Sequence, residues 1–172
     1  MLNRLIGLLA AFLVAVPSAG VAAAYTLTSD VGRFTVELPN KPSFKVRRLV
    51  SKEGVTLQSN EWMVDEPWLM WLVSYRDHPQ TAENTSPDKI FERLIRELPE
   101  VLDGELRGHR FIERDGIRGL EILIFVPRNR LLLRSHVYVV RHRQYTISYV
   151  GAEGTEHEPK VETYLNSFHV LR

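Results

Sequence analysis

Residues 131–150 read Leu131-Leu132-Leu133-Arg134-Ser135-His136-Val137-Tyr138-Val139-Val140, then Arg141-His142-Arg143, then Gln144-Tyr145-Thr146-Ile147-Ser148-Tyr149-Val150. In an extended chain successive side chains point to opposite faces. Leu131, Leu133, Val137 and Val139 therefore share one face, and Leu132, Arg134, His136 and Tyr138 share the other. One face is wholly apolar and the other mixed, the pattern of a strand packed against a core. The tight Arg141-His142-Arg143 link is too short for a crossover, so Gln144 to Val150 must return as an antiparallel neighbour.

The same reading extends in both directions. Upstream, Glu105 to Arg114 and Ile117 to Val126 flank Asp115-Gly116, a dipeptide that favours a two-residue hairpin turn, and Pro127-Arg128-Asn129 leads into the Arg130–Arg141 strand. Further upstream, Ser86-Pro87-Asp88 starts a helix: Ser caps, Pro occupies the first turn, and Asp sits at the positive end of the dipole. Ile90, Phe91, Leu94, Ile95 and Leu98 repeat at helical spacing, with Pro99 expected to end or kink the helix and Asp103-Gly104 to close it. The N-terminal half reads as strands: Tyr25 to Ser29 and Arg33 to Leu38 around Asp30-Val31-Gly32, then Phe44 to Val50, Val55 to Val64 and Trp68 to Tyr75. Val161, Tyr164, Leu165 and Phe168 fit a short last helix, followed by an edge strand at His169 to Leu171. Strands, helix, strands and helix imply an α+β domain with a central antiparallel β-sheet flanked by helices.

Ahead of this domain, Leu5 to Val16 is an apolar run behind Arg4, and Pro17, Ser18 and Gly20 break it. Ala22-Ala23-Ala24 then offers small residues for a signal peptidase, so residues 1–24 are expected to form a cleavable signal peptide, with the cut set by Ala22 and Ala24. An uncleaved anchor would bury Pro17 and Gly20 in the span. The expected product is one domain over residues 25–172, periplasmic or secreted, with no membrane span after cleavage. It contains no Cys, which excludes disulfides, thiolate metal sites and Cys nucleophiles.

The net charge of +1 hides a segregation. Between Gly104 and Gln144 every cation is an arginine, nine of them against Glu105, Glu113, Asp115 and Glu121. Arg128, Arg130, Arg134, Arg141 and Arg143 belong to one hairpin and are the candidate binders of an anion or an acidic partner. Arg107, Arg110, Arg114 and Arg118 lie on the adjoining hairpin. Trp62 and Trp68, near the Asp65-Glu66-Pro67 bend, form a candidate aromatic patch, since a Trp beside a bend can stay half exposed and anchor a partner.

No catalytic pattern emerges. The six His are not paired at metal-ligand spacing; His109 and His136 stand out as able to face each other across strands, but without an identifiable carboxylate partner. Ser135 and His136 point to opposite strand faces and cannot form a dyad. The glycines are dispersed rather than gathered in a phosphate loop. Export and the lack of interleaved aromatics argue against nucleic acid. No metal or cofactor is expected.

Gly32-Arg33-Phe34-Thr35-Val36-Glu37-Leu38-Pro39-Asn40-Lys41-Pro42, Arg141-His142-Arg143-Gln144-Tyr145 and Tyr164-Leu165-Asn166-Ser167-Phe168 occur in the order in which a strand ending in Pro and Lys-Pro, a hairpin turning before a Tyr, and a terminal aromatic-Leu-x-Ser-Phe recur in one family. The chain thus resembles the PsbP-like (PsbP/DcrB-type) extracytoplasmic domains. The resemblance implies an α/β/α sandwich and a non-enzymatic accessory role, docking onto another extracytoplasmic protein. The arginine hairpin suggests an alternative partner, an anionic envelope component such as a lipid headgroup or acidic polysaccharide.

Overall fold

The structure, a computed structural model, describes residues 24–50, 54, 56–79 and 86–171. The signal-peptide reading therefore lies outside the described residues, apart from Ala24. Among the described residues the elements follow one another as β1 (Tyr25–Ser29), β2 (Phe34–Leu38), β3 (Ser43–Val50), β4 (Thr56–Glu66), β5 (Leu69–Asp77), α1 (Pro87–Val101), β6 (Glu105–Arg114), β7 (Ile117–Val126), β8 (Leu131–Val140), β9 (Arg143–Ala152), α2 (Pro159–Asn166) and β10 (His169–Val170).

The strands form two sheets where the sequence suggested one. Seven pair in the order β3-β4-β5-β9-β8-β7-β6, and β1-β2-β10 form a small sheet of three. All pairings are antiparallel. The division has a local cause. Pro39 and Pro42 interrupt the chain after β2, so the β1–β2 hairpin does not extend the large sheet but packs on its face through Phe34, Val36 and Leu38, all buried.

The hairpin at the centre behaves as its alternation requires. Tyr138 of β8 joins Trp71, Val73, Tyr75, Tyr145, Ile147 and Tyr149 in the core beneath the small sheet and α2. Val137 and Val139, on the opposite side of the same strand, join Leu120, Ile122 and Ile124 beneath α1, where Ile90 and Phe91 are buried. Helix α1 thus lies on one face of the large sheet. The other face is covered mainly by the three-stranded sheet, with α2 beside it, so the layer expected to be helical is mostly strand.

Helix α1 begins as read, with the Ser86 side chain accepting from the backbone N–H of Lys89, but it runs through Pro99 to Val101. In the last turn Pro99 costs one backbone bond while its own carbonyl stays useful: Gly104 N–H donates to it at 2.9 Å and Asp103 N–H donates to Glu100 at 3.2 Å. This is a Schellman-type stop with Asp103, at φ 50°, in the position glycine usually takes.

The C-terminal segment closes the core. Phe168 is buried just beyond α2, stacks on Tyr138 with ring centroids 5.7 Å apart and meets Phe34 at the same separation. Tyr138 has room because Gly119 stands opposite it on β7; a Cβ there would fall 2.6 Å from two atoms of the Tyr138 ring. Gly119→Ala is expected to cost about 1–3 kcal/mol through overpacking, read as a lower urea midpoint; an unchanged midpoint would show that the ring packs elsewhere.

Candidate functional site

The five candidate arginines do not converge. Arg128 and Arg130 occupy the β7–β8 turn and Arg141 the β8–β9 turn, at opposite ends of β8, a strand of 10 residues and therefore about 33 Å long. Arg134 lies between them and is only 2% exposed. Its Nε and Nη2 donate to Glu121 Oε2 at 3.1 and 2.7 Å, and its Nη1 donates to the Glu156 carbonyl at 2.8 Å and to Glu162 Oε1. Arg134 is a fixed internal cation.

Strand register explains this cluster. Glu121 on β7 sits directly opposite Arg110 on β6 and His136 on β8, while Arg134 pairs two positions further along. One carboxylate, nearly out of water, thus receives Arg110 Nε at 2.6 Å, His136 Nε2 at 2.8 Å and Arg134. Burial alone would raise the Glu121 pKa, but the bonds from His136, Arg110 and Arg134 outweigh it and hold the carboxyl well below the usual range. Glu162 on α2 is also held low, first by its bond to Arg134. His136 therefore has the carboxylate partner that sequence reading could not find, whereas His109 is exposed on edge strand β6 opposite Ile122, a full strand away.

Arg143 is also committed. It grips Asp77 with two bonds of 2.6 and 2.8 Å, donates to the Val31 carbonyl and lies 4.4 Å over the Tyr75 ring. Its outer side still borders a cleft of about 600 Å³ that also includes Arg33, Arg141 and Asp115. Arg33, 108 positions from Arg141 in the chain, was not legible as part of this group because only the small sheet brings it there.

The two candidate tryptophans part company as well. Trp62 is half buried in an aromatic stack, 5.4 Å from Phe34, 6.0 Å from Tyr75 and 4.8 Å from Phe44. Trp71 and Tyr75 are core residues. Trp68 instead stands at the tip of the β4–β5 hairpin, 86% exposed and at φ 70°, in a left-handed conformation that bulky side chains avoid. Among the described residues, no group of three or more His, Asp or Glu side chains is placed to hold a metal ion.

Compared with family models and with curated protein sequences, the chain has no match. Solved structures are another matter. Cyanobacterial PsbP from Synechocystis sp. PCC 6803 superposes with a TM-score of 0.60 at 19% identity, over 92% of this chain and 98% of that one. The fold is PsbP-like. A Pseudomonas aeruginosa protein, PA94, described as a protein of unknown function and putative regulator, superposes with a TM-score of 0.52 at 15% identity, over 87% of this chain and 97% of that one. At such identities a shared PsbP-like fold fixes the architecture and leaves the binding residues to be read from this chain itself.

The Glu121 cluster yields a pH prediction. A carboxylate held low in the folded state contributes stability that is complete above its ordinary pKa of 4.5 and is lost as pH falls from there toward the folded value. Stability measured by urea unfolding should therefore fall steeply below about pH 4.5. Glu121→Gln, which leaves buried Arg134 short of a counter-charge, is expected to cost on the order of 3 kcal/mol at pH 7 and to flatten that acid slope. Arg128→Ala, on an exposed turn, should change stability by less than about 0.5 kcal/mol. A Glu121→Gln protein with the parent's acid slope would contradict the assignment.

Proposed function

We propose that this chain is an accessory protein of the extracytoplasmic envelope, acting by binding another protein through the end of the large sheet formed by β3, β4 and β5. The observation that carries this reading is Trp68. A bulky aromatic held at positive φ costs stability, and one left exposed at a hairpin tip returns nothing to the fold. Such a residue makes sense as the anchor of a contact made with something else.

The neighbouring edge supports the same reading. Strand β3 ends the sheet, and Phe44, Val46 and Val50 lie exposed on one face of it. An unpaired strand edge with apolar side chains can accept a partner's extended segment by strand addition. A PsbP-like fold, with one structural neighbour described as a putative regulator, fits a protein that works by binding. Among the described residues no helix is long and apolar enough to cross a membrane.

A second reading, binding of an anionic envelope component, is favoured by one observation: the cleft where Arg33, Arg141 and Arg143 meet. Arg33→Ala with Arg141→Ala is expected to weaken capture of a polyanion such as heparin about tenfold, with affinity in the parent falling steeply with salt. Binding that ignores salt would exclude this reading.

The leading reading is tested at position 68. Trp68→Gly relieves the left-handed strain and should raise stability by about 0.5–1 kcal/mol, while a photo-crosslinking residue placed at 68 in the producing cells should trap a second protein. Crosslinking that yields only the monomer, together with a Trp68→Gly protein less stable than the parent, would refute the anchor role.

A further inference from the structure

The two faces of the large sheet are not covered equally. A helix is about 10 Å across, whereas seven strands at 4.8 Å spacing span about 30 Å. Helix α1 packs over β6, β7 and β8, and beyond its rim the floor formed by β8, β9, β5 and β4 lies open as a groove of about 570 Å³. Leu94, Leu98 and Leu102 of α1 form one wall.

The floor changes character along its length, and register sets the order. Arg76 lies opposite Gln144 at one end, Ser74 opposite Thr146 next, then Leu72 opposite Ser148, and Met70 opposite Val150 at the far end. Leu133, which pairs with Val150, and Leu131 extend the apolar end on β8. The groove thus runs from polar to apolar over seven residues of strand, about 20 Å from first to last. Polar groups at one end of an apolar cleft of this size are the usual form of a small-molecule site.

At the polar end the charges are unbalanced. Arg76 donates Nε and Nη2 to a single amide oxygen, Gln144 Oε1, at 3.2 and 2.9 Å, and His78 Nε2 lies 3.0 Å from that same oxygen. Three nitrogens crowd one neutral acceptor. Burial first, and then the nearby charge of Arg93, press the Arg76 pKa downward. Among the described residues no carboxylate lies within ion-pair distance of Arg76 or Arg93; Glu61, which also borders the groove, is engaged by Arg47 at 3.2 Å. Elsewhere in this molecule a buried guanidinium meets carboxylates, as Arg134 does. Among the described residues no countercharge stands here, and an incoming anion would supply one.

We propose that this groove binds a single-chain amphiphile with an anionic head, the head at Arg76, where the nearby charge of Arg93 adds to the attraction, and the acyl chain lying over Leu72, Met70 and Leu133 against α1. A fatty-acid carboxylate and a lysophospholipid phosphate share this chemistry. The groove lies on the sheet face opposite the small sheet and does not include Trp68, so it stands or falls independently of the protein contact proposed there.

The test is calorimetric titration of the purified chain with palmitate and, separately, with palmitoyl-lysophosphatidylglycerol, both below their micellar concentrations, and with hexadecanol as the uncharged chain. One amphiphile per protein is expected, with hexadecanol at least tenfold weaker; binding of palmitate alone assigns a carboxylate head and of the lysolipid alone a phosphate head. Arg76→Met should weaken binding tenfold or more. Arg93→Gln, on the helix surface, keeps the test valid if Arg76→Met fails to fold, and should weaken it severalfold. Failure of both amphiphiles to bind, hexadecanol binding as tightly as palmitate, or Arg93→Gln and a folded Arg76→Met both binding like the parent would overturn the proposal.

Discussion

Glu121 and Arg134 meet out of water on the neighbouring strands β7 and β8 of the large sheet, and the surrounding parts are arranged to make that tolerable. A buried ion pair is seldom a large net source of stability, because removing both charges from water costs about what their attraction returns. Its effect is on specificity. Slipping β7 against β8 by one residue would turn Glu121 to the α1 face, leaving His136 without its carboxylate and Arg134 with Glu162 as its remaining counter-charge. The same cation reaches out of the sheet to the Glu156 carbonyl and to Glu162, so it also fixes the loop before α2 and the helix itself. Phe168 and β10 follow that helix into place, and with them the small sheet that completes the core.

The consequence for function is a separation of roles. The most eye-catching charged residues of the sequence are turned inward or clamped: Arg134 by two carboxylates, Arg143 by Asp77. What faces outward is different in kind. It consists of an aromatic at a hairpin tip, an apolar strand edge, a cleft with Arg33 and Arg141, and a half-covered sheet face with Arg76 at one end. Each is a surface proposed above to bind, and none resembles a set of reacting groups.

How far the sequence could be read depended on whether a feature was local. Alternation in Leu131–Val140, the Asp115-Gly116 turn, and the Ser86-Pro87-Asp88 cap each involve neighbouring residues, and the strand and helix order followed from them. Pro39 and Pro42 mark the break after β2, but the split into two sheets was not legible, because it also depends on which face the β1–β2 hairpin lands on. Nor was the partner of His136: Glu121 is 15 residues away, and only strand register brings the two to 2.8 Å. Arg134 looked like surface charge for the same reason. The place of Trp68 beside Pro67 marks it as a candidate anchor in the sequence, while the groove beside α1 has no linear signature, since its floor comes from four strands.

The claim on which this account rests is that Arg134 is internal machinery and not a docking group. Nitrogen-15 NMR of the arginine side chains tests it most directly. The Nε–H of Arg134 should exchange slowly with water and keep its resonance when anionic amphiphiles or polyanions are added, while exposed Arg128 and Arg130 exchange rapidly. A fast-exchanging Arg134 resonance that shifts with added anion would place this residue at the surface and contradict the structure of the site.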